Sequence, residues 1–324
     1  MKPTSVFDTY WKFAAERQAI FFRKLEGRPG PWTDDPILRA HKFTNAYRAA
    51  DRVSQYLIRR VIYAGDQAPR EVFFRTVLFR LFNKIETWEL LRSTLGEIRS
   101  DTYQFAQYAN VVEQAMRNGT KIYSAAYIMP ARAQDLRSSR KHENHLRLLE
   151  RMMRERIAER VMEAPNLRDV FLLLRSLPML GDFLAYQLAI DLNYGPHVNH
   201  SEMAFVVPGP GAYGGIRKCF SDLGGCSEAD VIRCVCERQE EEFKKRGLLF
   251  QTLWGRPLQL IDCQNLFCEV NKYARLAHPD IPDPIGRTRI KQKYRPISEP
   301  IEYWFPPKWR LKASQTVSKK MGSA

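Results

Sequence analysis

The chain has 324 residues and a formal net charge of +15. That length can bury a large core, in one big domain or in two closely packed lobes. The excess of positive charge favours a polyanionic partner, most simply nucleic acid. The sequence has no run of about 18 apolar residues and no hydrophobic signal core at its start. We therefore expect a cytoplasmic monomer that does not bind membranes.

Taken in chain order, the hydrophobic periodicity is almost wholly helical. It predicts helices near 5–25, 36–63, 70–95, 100–118, 141–163, 166–176, 182–193, 228–246 and 261–276. Strand signals are limited to a weak alternation over 121–128 and a short apolar run over 204–207. The sequence therefore predicts an all-α protein.

The second predicted helix carries an unusual polar stripe. Pro36 suits its first turn, and Asp51 lies beside the stripe. The stripe has side chains with fixed hydrogen-bonding geometry rather than Lys and Glu: Asn45, Arg48, Arg52 and Gln55. An ordinary surface helix with a buried Arg–Asp pair and a binding face both remain open.

Four blocks in order resemble one family: 31–57, 73–91, 183–216 and 262–276, within roughly residues 10–285. The chain resembles the α-glutamyl/putrescinyl-thymine pyrophosphorylases and the helical domain of 5-hydroxymethyluracil DNA kinases. That family is in turn similar to helix-hairpin-helix DNA glycosylases. The resemblance implies an all-α, two-lobed helix-hairpin-helix DNA-glycosylase-like fold, with residues 1–285 as the catalytic unit.

A hairpin is expected over 166–193, with its turn at 177–181 and Gly181 opening the second helix. In the glycosylases such a turn lets backbone N–H groups approach a DNA phosphate. Met179 replaces a glycine usually found there, and a plain helical hairpin without a DNA role stays open. The lysine of bifunctional relatives is absent near 182–183, so a glycosylase here would leave an abasic site.

Three carboxylates are candidates for catalysis: Glu202, Asp191 and Glu269. The resemblance places the catalytic acid roughly twenty residues past the hairpin, where Glu202 is the only carboxylate. It would orient water or stabilise an oxocarbenium-like sugar. Ser201 would cap a helix there, which is also an ordinary helix start. Asp191 on the hairpin's second helix is the next candidate.

Residues 206–216 are rich in glycine and proline and include Gly211. They form either a phosphate cradle or a rigid connector. No G-K-[ST] follows, so this is no Walker loop and ATP is not expected.

The six cysteines do not have the spacing of the glycosylase iron–sulfur ligands, and the histidines form no cluster. We expect no cofactor and no metal.

The block at 262–276 places several polar groups close together on one helix. They form either a surface i,i+3 ion pair or part of a base pocket: Asn265, Glu269, Lys272 and Tyr273. Tyr194 is a further candidate for base stacking. Lys272 would hold a phosphate or a leaving group, and Asp262 would support the pocket.

Residues 286–324 contain ten Lys or Arg against two Glu, and the middle of the segment has four aromatic residues: Tyr303, Trp304, Phe305 and Trp309. We interpret this segment as a basic arm whose aromatic middle packs down, because a disordered tail rarely keeps four aromatics.

The first functional hypothesis is a monofunctional DNA glycosylase for phage defence that flips and excises a hydroxymethylated or glucosylated pyrimidine from double-stranded DNA. The second is a transferase that displaces pyrophosphate from a 5-hydroxymethyl-pyrimidine in DNA with an amino acid or polyamine. The third is a DNA-binding protein without catalysis. The residues alone do not separate the first two, since both need a basic pocket and a carboxylate.

Overall fold

The computed structural model describes residues 1–133, 135–283, 286–296 and 302–311. The prediction of an all-α protein is confirmed. Within those ranges the strands are confined to one short antiparallel pair, Lys2–Pro3 with Phe220–Asp222. No helix within them is long and apolar enough to cross a membrane.

The first seven helices are α1 Ser5–Leu25, α2 Pro36–Ala40, α3 Arg52–Tyr56, α4 Pro69–Phe82, α5 Ile85–Leu95, α6 Phe105–Arg117 and α7 Lys141–Arg154. The others are α8 Ile157–Glu163, α9 Leu167–Arg175, α10 Asp182–Leu192, α11 Pro210–Cys219, α12 Glu228–Glu237, α13 Gln239–Lys245 and α14 Leu260–Ala277. A π-helical turn, Leu57–Ile62, follows α3, and 3₁₀ turns span Arg48–Ala50 and Pro307–Trp309.

Unit 1 contains the described residues of Met1–Asp51, Phe205–Tyr303 and Arg310–Ala324. Its core is built on α14, against which α1, α11 and α12 pack. The contact between α11 and α14 is close because glycines face it. A Cβ on Gly215 would lie 2.0 Å from the Phe267 carbonyl oxygen, and one on Gly211 would lie 2.2 Å from the Cys268 sulfur.

Unit 2 contains Arg52–Ala204 and Trp304–Trp309. Its central helix is α4, which is buried on nearly every face and contacts α7, α8 and α10. The aromatic segment packs onto this unit. Trp304 meets Tyr63 edge to face with ring centroids 4.6 Å apart, and the Lys308 ammonium donates to the backbone carbonyls of Asn193, Gly195 and Val198.

The predicted helix over 36–63 is wrong, because residues 41–47 are not helical. Asp35 caps α2 with Pro36 in its first turn, as expected, but the helix ends at Ala40. Side chains from outside the loop satisfy the backbone groups that a helix would have paired internally. Arg17 donates to the Thr44 carbonyl, and the Glu269 carboxylate accepts from the Thr44 N–H. The polar stripe therefore does not lie on one helix.

The predicted helices over 70–95, 141–163 and 228–246 each divide into two. In the first, Asn83 has a left-handed φ of 50° and ends α4. Its amide donates to the Ser124 hydroxyl at 3.2 Å and the Ala126 carbonyl at 3.3 Å, which a continuing helix would prevent.

Residues 121–128 and 204–207 form no strand. The glycine-rich stretch contains α11, a helix that sequence analysis missed because it weighed the glycines as loop residues rather than as contact residues. The hairpin prediction agrees with α9 and α10. Met179 in the turn has φ of 64°, the left-handed conformation that glycine usually supplies.

Candidate functional site

A polar cluster in unit 1 is centred on Glu269 of α14. Its Oε2 accepts a 2.9 Å hydrogen bond from the Thr44 backbone N–H and lies 2.6 Å from the Lys272 Nζ. The Glu269 side chain is buried, whereas that of Lys272 is 23% exposed. The three-residue spacing on α14 places both groups on one face. The cluster therefore joins a buried carboxylate to a cation that solvent reaches.

The non-helical loop 41–47 is fixed to the same face of α14. The Asn265 amide, one turn before Glu269, donates a 2.9 Å hydrogen bond to the Thr44 hydroxyl. The Asn265 Oδ1 makes no hydrogen bond with a residue that the structure describes. This oxygen is an acceptor at the half-buried edge of the cluster.

Arg17 of α1 holds the loop from its other side. Its Nε donates to the Thr44 carbonyl and its Nη2 to the Asn45 Oδ1, both at 2.9 Å. Burial lowers the pKa of the Arg17 guanidinium, with Asp51 and Glu269 opposing that shift. Because its Nε and Nη2 donate to the loop, Arg17 positions the loop rather than presenting an open charge.

Asp51 is the group in this cluster that titrates near neutral pH. Its Oδ1 accepts a 2.7 Å hydrogen bond from the Asn45 backbone N–H. Burial raises the pKa of the carboxyl to about 7; the negative charge of Glu269 adds to this, and the Asn45 hydrogen bond, Arg17 and Arg48 oppose it. A carboxyl with such a pKa is half ionised at neutral pH, so it can accept or release a proton.

Tyr303 lies beside this carboxyl. Burial and the charge of Asp51 raise the pKa of its phenol to about 12. Tyr303 therefore stays protonated and acts as a hydrogen-bonding group towards Asn45.

Several predicted site residues meet in this cluster: Asn45, Asn265, Glu269 and Lys272. Arg48 is buried beneath it, and its backbone N–H donates to Asp262 at 2.8 Å. The Asp262 carboxylate also accepts a hydrogen bond from the Gln259 backbone N–H at the start of α14. Tyr273 donates to the Asp35 cap of α2 at 2.5 Å and is therefore engaged in holding that helix.

The other predicted site residues do not join this cluster, and each has its own surroundings. Gly211 lies in the packed contact between α11 and α14, so its position is explained by helix packing. Gly181 caps α10 and has open space around its Cβ position. Tyr194 is buried, with its ring edge-on to Trp309, so it presents no free stacking face.

Two members of the predicted stripe, Gln55 and Arg52, belong to unit 2 and make contacts with other residues of that unit. The Gln55 side chain is buried and accepts a 2.6 Å hydrogen bond from the Trp304 backbone N–H. Arg52 is exposed, with its guanidinium 3.5 Å from Glu86.

The first two carboxylates predicted to be catalytic also lie in unit 2. Both oxygens of Asp191 face the Arg80 guanidinium, at 2.7 Å and 2.5 Å, in a buried fork. Glu202 is 5% exposed and lies in a turn, so the predicted helix start at Ser201 is wrong. The Ser201 hydroxyl instead accepts from the Met203 N–H within that turn.

Sequence analysis left Arg17, Thr44 and Asp51 out of the site. Asp51 was noted only as a neighbour of the stripe, because a regular helix was assumed across 36–63. The available signal is the density of His, Thr and Asn over 41–45, residue types that are poor helix formers.

Comparison with known proteins shows the family to which this chain belongs. The model of the family described as "5-hmdU DNA kinase, helical domain" matches residues 4–283. The chain belongs to that helical-domain family. The "5-hmdU DNA kinase" of Bacillus phage SP10 is 26% identical over 287 residues, which is 83% of this chain and 45% of the phage protein. The chain thus spans less than half of the relative it matches. No solved structure matches it.

The family corrects the first functional hypothesis. The prediction of a monofunctional DNA glycosylase is wrong, and with it the predictions of hydrolysis, base flipping and phage defence. The matched family and the matched relative are both named for a DNA kinase that acts on a modified base. These findings fit the transferase alternative better. The likeness to helix-hairpin-helix glycosylases is not shown.

Proposed function

We propose that this chain acts on DNA carrying 5-hydroxymethyluracil and transfers a group at the 5-hydroxymethyl carbon of that base. The observation that carries this proposal is the family match over residues 4–283, together with a relative whose name specifies 5-hmdU in DNA. Because the match covers only 45% of that relative, its activity is not transferred to the chain as such. The polar cluster of unit 1 is the part to which we assign the chemistry.

The reaction is displacement of pyrophosphate from a 5-pyrophosphorylated hydroxymethyl group by an amine. The amine nitrogen forms a bond to the exocyclic carbon, the carbon–oxygen bond breaks, and pyrophosphate leaves with the bonding electrons. The proton that the amine loses passes to the ionised Asp51 carboxylate, whose pKa of about 7 suits a proton acceptor.

The other members of the cluster have complementary roles. The partly exposed Lys272 ammonium stabilises negative charge that develops on the leaving group. Glu269 holds that ammonium in place and fixes the loop through the Thr44 N–H. The Asn265 Oδ1 accepts the N3–H of the uracil ring, which positions the base.

The test uses a duplex with one 5-pyrophosphorylated hydroxymethyluracil, incubated with putrescine, glycine or glutamate. Nucleoside mass analysis should find an amine adduct and free pyrophosphate with the wild-type protein. The Lys272→Met variant should lose most turnover, whereas an exposed control, Lys244→Met, should keep it. Wild-type protein that forms no adduct with any amine would overturn this reaction.

Phosphoryl transfer to the 5-hydroxymethyl group is the second candidate, favoured by the word kinase in the relative's name. Asp51 would then accept the proton of the hydroxyl group. The same duplex without pyrophosphate, incubated with ATP and Mg²⁺, separates the two reactions. A mass gain of one phosphate on the base would replace the displacement reaction with this one.

A further inference from the structure

Five cations occupy alternate positions of one exposed segment in unit 1. This basic strip consists of Arg287, Arg289, Lys291, Lys293 and Arg295, each of which is exposed. Of the residues between them, the two apolar ones are covered, with Ile290 7% exposed and Tyr294 half-buried, whereas Thr288 and Gln292 are exposed. In an extended chain alternate side chains lie on opposite sides. The segment therefore turns its apolar side to the protein and its cations to solvent.

The strip is fixed to the body of unit 1 by its backbone. The Lys42 N–H donates to the Gln292 carbonyl and the Tyr294 N–H donates to the Ala40 carbonyl, both at 3.0 Å, on either side of an antiparallel bridge. Arg275 donates to the Arg289 carbonyl at 3.2 Å. Since these bonds hold the extended backbone, the spacing of the cations is set before any ligand binds.

The strip cations differ from several surface cations of unit 2 in having no ion-pair partner among the residues that the structure describes. None of the five forms an ion pair with a residue in the described part of the chain, whereas Arg147, Arg151 and Arg156 of unit 2 all pair with glutamates three or four positions away. A face that is merely solvated usually has such mixed pairs. Five successive cations without an acidic partner in the described ranges instead concentrate positive potential along a line.

We infer that the basic strip binds the phosphate backbone of DNA. Successive cations are about 6.6 Å apart along an extended chain, and a nucleic acid strand presents a similarly regular line of single negative charges. Long Lys and Arg side chains absorb the remaining mismatch. Contacts of this kind neutralise phosphates without reading bases. The inference rests on the proposed function only in taking DNA as the substrate.

The test compares two variants with the same loss of charge. In one, all five strip cations are replaced by Gln; in the other, five exposed cations of unit 2 are: Arg117, Arg147, Arg154, Arg156 and Arg160. Circular dichroism and thermal melting establish that both variants are folded. The dissociation constant for an unmodified duplex is then measured over a series of salt concentrations.

The strip variant should show a salt dependence less steep by up to about 4.5 in log–log slope, since each phosphate contact contributes about 0.9. The unit 2 variant should change it by less than about 1. Equal slopes for the strip variant and the wild type would overturn the inference, as would an equal loss in both variants. A strip variant that loses affinity only for anionic phospholipid vesicles, and not for DNA, would also overturn it.

This readout is independent of the chemistry proposed for unit 1. Because the duplex is unmodified, an inactive protein on 5-hydroxymethyluracil DNA would leave the slopes unchanged. Failure of the proposed function and failure of the strip are therefore separate results.

Discussion

The Asp51 carboxylate accepts a 2.7 Å hydrogen bond from the backbone N–H of Asn45, six residues earlier. This bond closes the loop that carries Thr44 against α14. It also places a half-buried acid near Glu269, and desolvation and the charge of Glu269 both raise the pKa of Asp51.

The first prediction concerns the pH dependence of stability. The native state raises the pKa of Asp51 from 3.8 to about 7. Between those values the unfolded chain has lost the proton and the native state keeps it. The free energy of unfolding should therefore fall as pH rises through this window, by up to about 1.4 kcal/mol per pH unit.

Asp51→Asn should abolish that contribution, so the variant should gain stability relative to the wild type between pH 5 and pH 7. Urea unfolding at several pH values measures the difference. Asp280→Asn, an exposed carboxylate of the same unit, is the control and should follow the wild type. Parallel pH curves for the wild type and Asp51→Asn would show that Asp51 titrates normally.

The second prediction separates charge from shape at Glu269. Glu269→Gln keeps an oxygen for the Thr44 N–H but leaves Lys272 beside a neutral amide. It should lower stability by about 1–3 kcal/mol and lower the transfer rate at least tenfold. Combining it with Lys272→Met should recover part of the stability without recovering the rate.

The matched control is Glu237→Gln, since Glu237 forms an exposed pair with Arg233. It should cost less than about 1 kcal/mol and leave the rate unchanged. A double variant that regains the rate would show that the Glu269–Lys272 pair is structural.

The third prediction concerns the buried fork of Arg80 and Asp191. Because removal of either partner leaves an uncompensated buried charge, Arg80→Met and Asp191→Leu should each cost about 3–5 kcal/mol. The double variant should cost clearly less than their sum. A double-mutant cycle by chemical unfolding measures the coupling, and additive losses would contradict a structural pair.

The fourth prediction tests the glycine contact of α11. Gly215→Ala places a methyl group against the Phe267 carbonyl, so it should cost about 1–3 kcal/mol or more in stability. Gly181→Ala, whose added methyl group meets no atom within 4 Å, should cost no more than about 1 kcal/mol. Equal melting temperatures for the two variants would show that α11 can move away from α14 without loss of stability.

Helix positions were largely predictable from the sequence, because apolar spacing and caps are local. The loop 41–47 was not, since its backbone is paired by Arg17 and Glu269, which are distant in sequence. The periodicity of apolar residues continues through that loop and therefore predicts a helix. It contains no information about those distant hydrogen-bond partners. The same limit explains α11, whose glycines meet Phe267 and Cys268 of another helix.

The site was predictable in part. The sequence places Asn265, Glu269 and Lys272 close together because their spacing lies within one helix, and their role as a site stays a prediction. Asp51 was not selected, because its pKa depends on burial and on the neighbouring charge of Glu269. The catalytic role predicted for Glu202 rests on its distance from the hairpin, and that for Asp191 on its place in the hairpin's second helix. The structure places neither carboxylate in the unit 1 cluster.

The central claim is that the chain changes the 5-hydroxymethyl group of the base and leaves the base attached to DNA. The most direct measurement is the intact mass of a duplex containing one 5-pyrophosphorylated hydroxymethyluracil after incubation with amines, beside a duplex with thymine at that position. We predict that the modified strand loses pyrophosphate and gains the amine, that its glycosidic bond stays intact, and that the thymine strand is unchanged. An abasic strand, or an unchanged modified strand at every amine tested, would contradict this account.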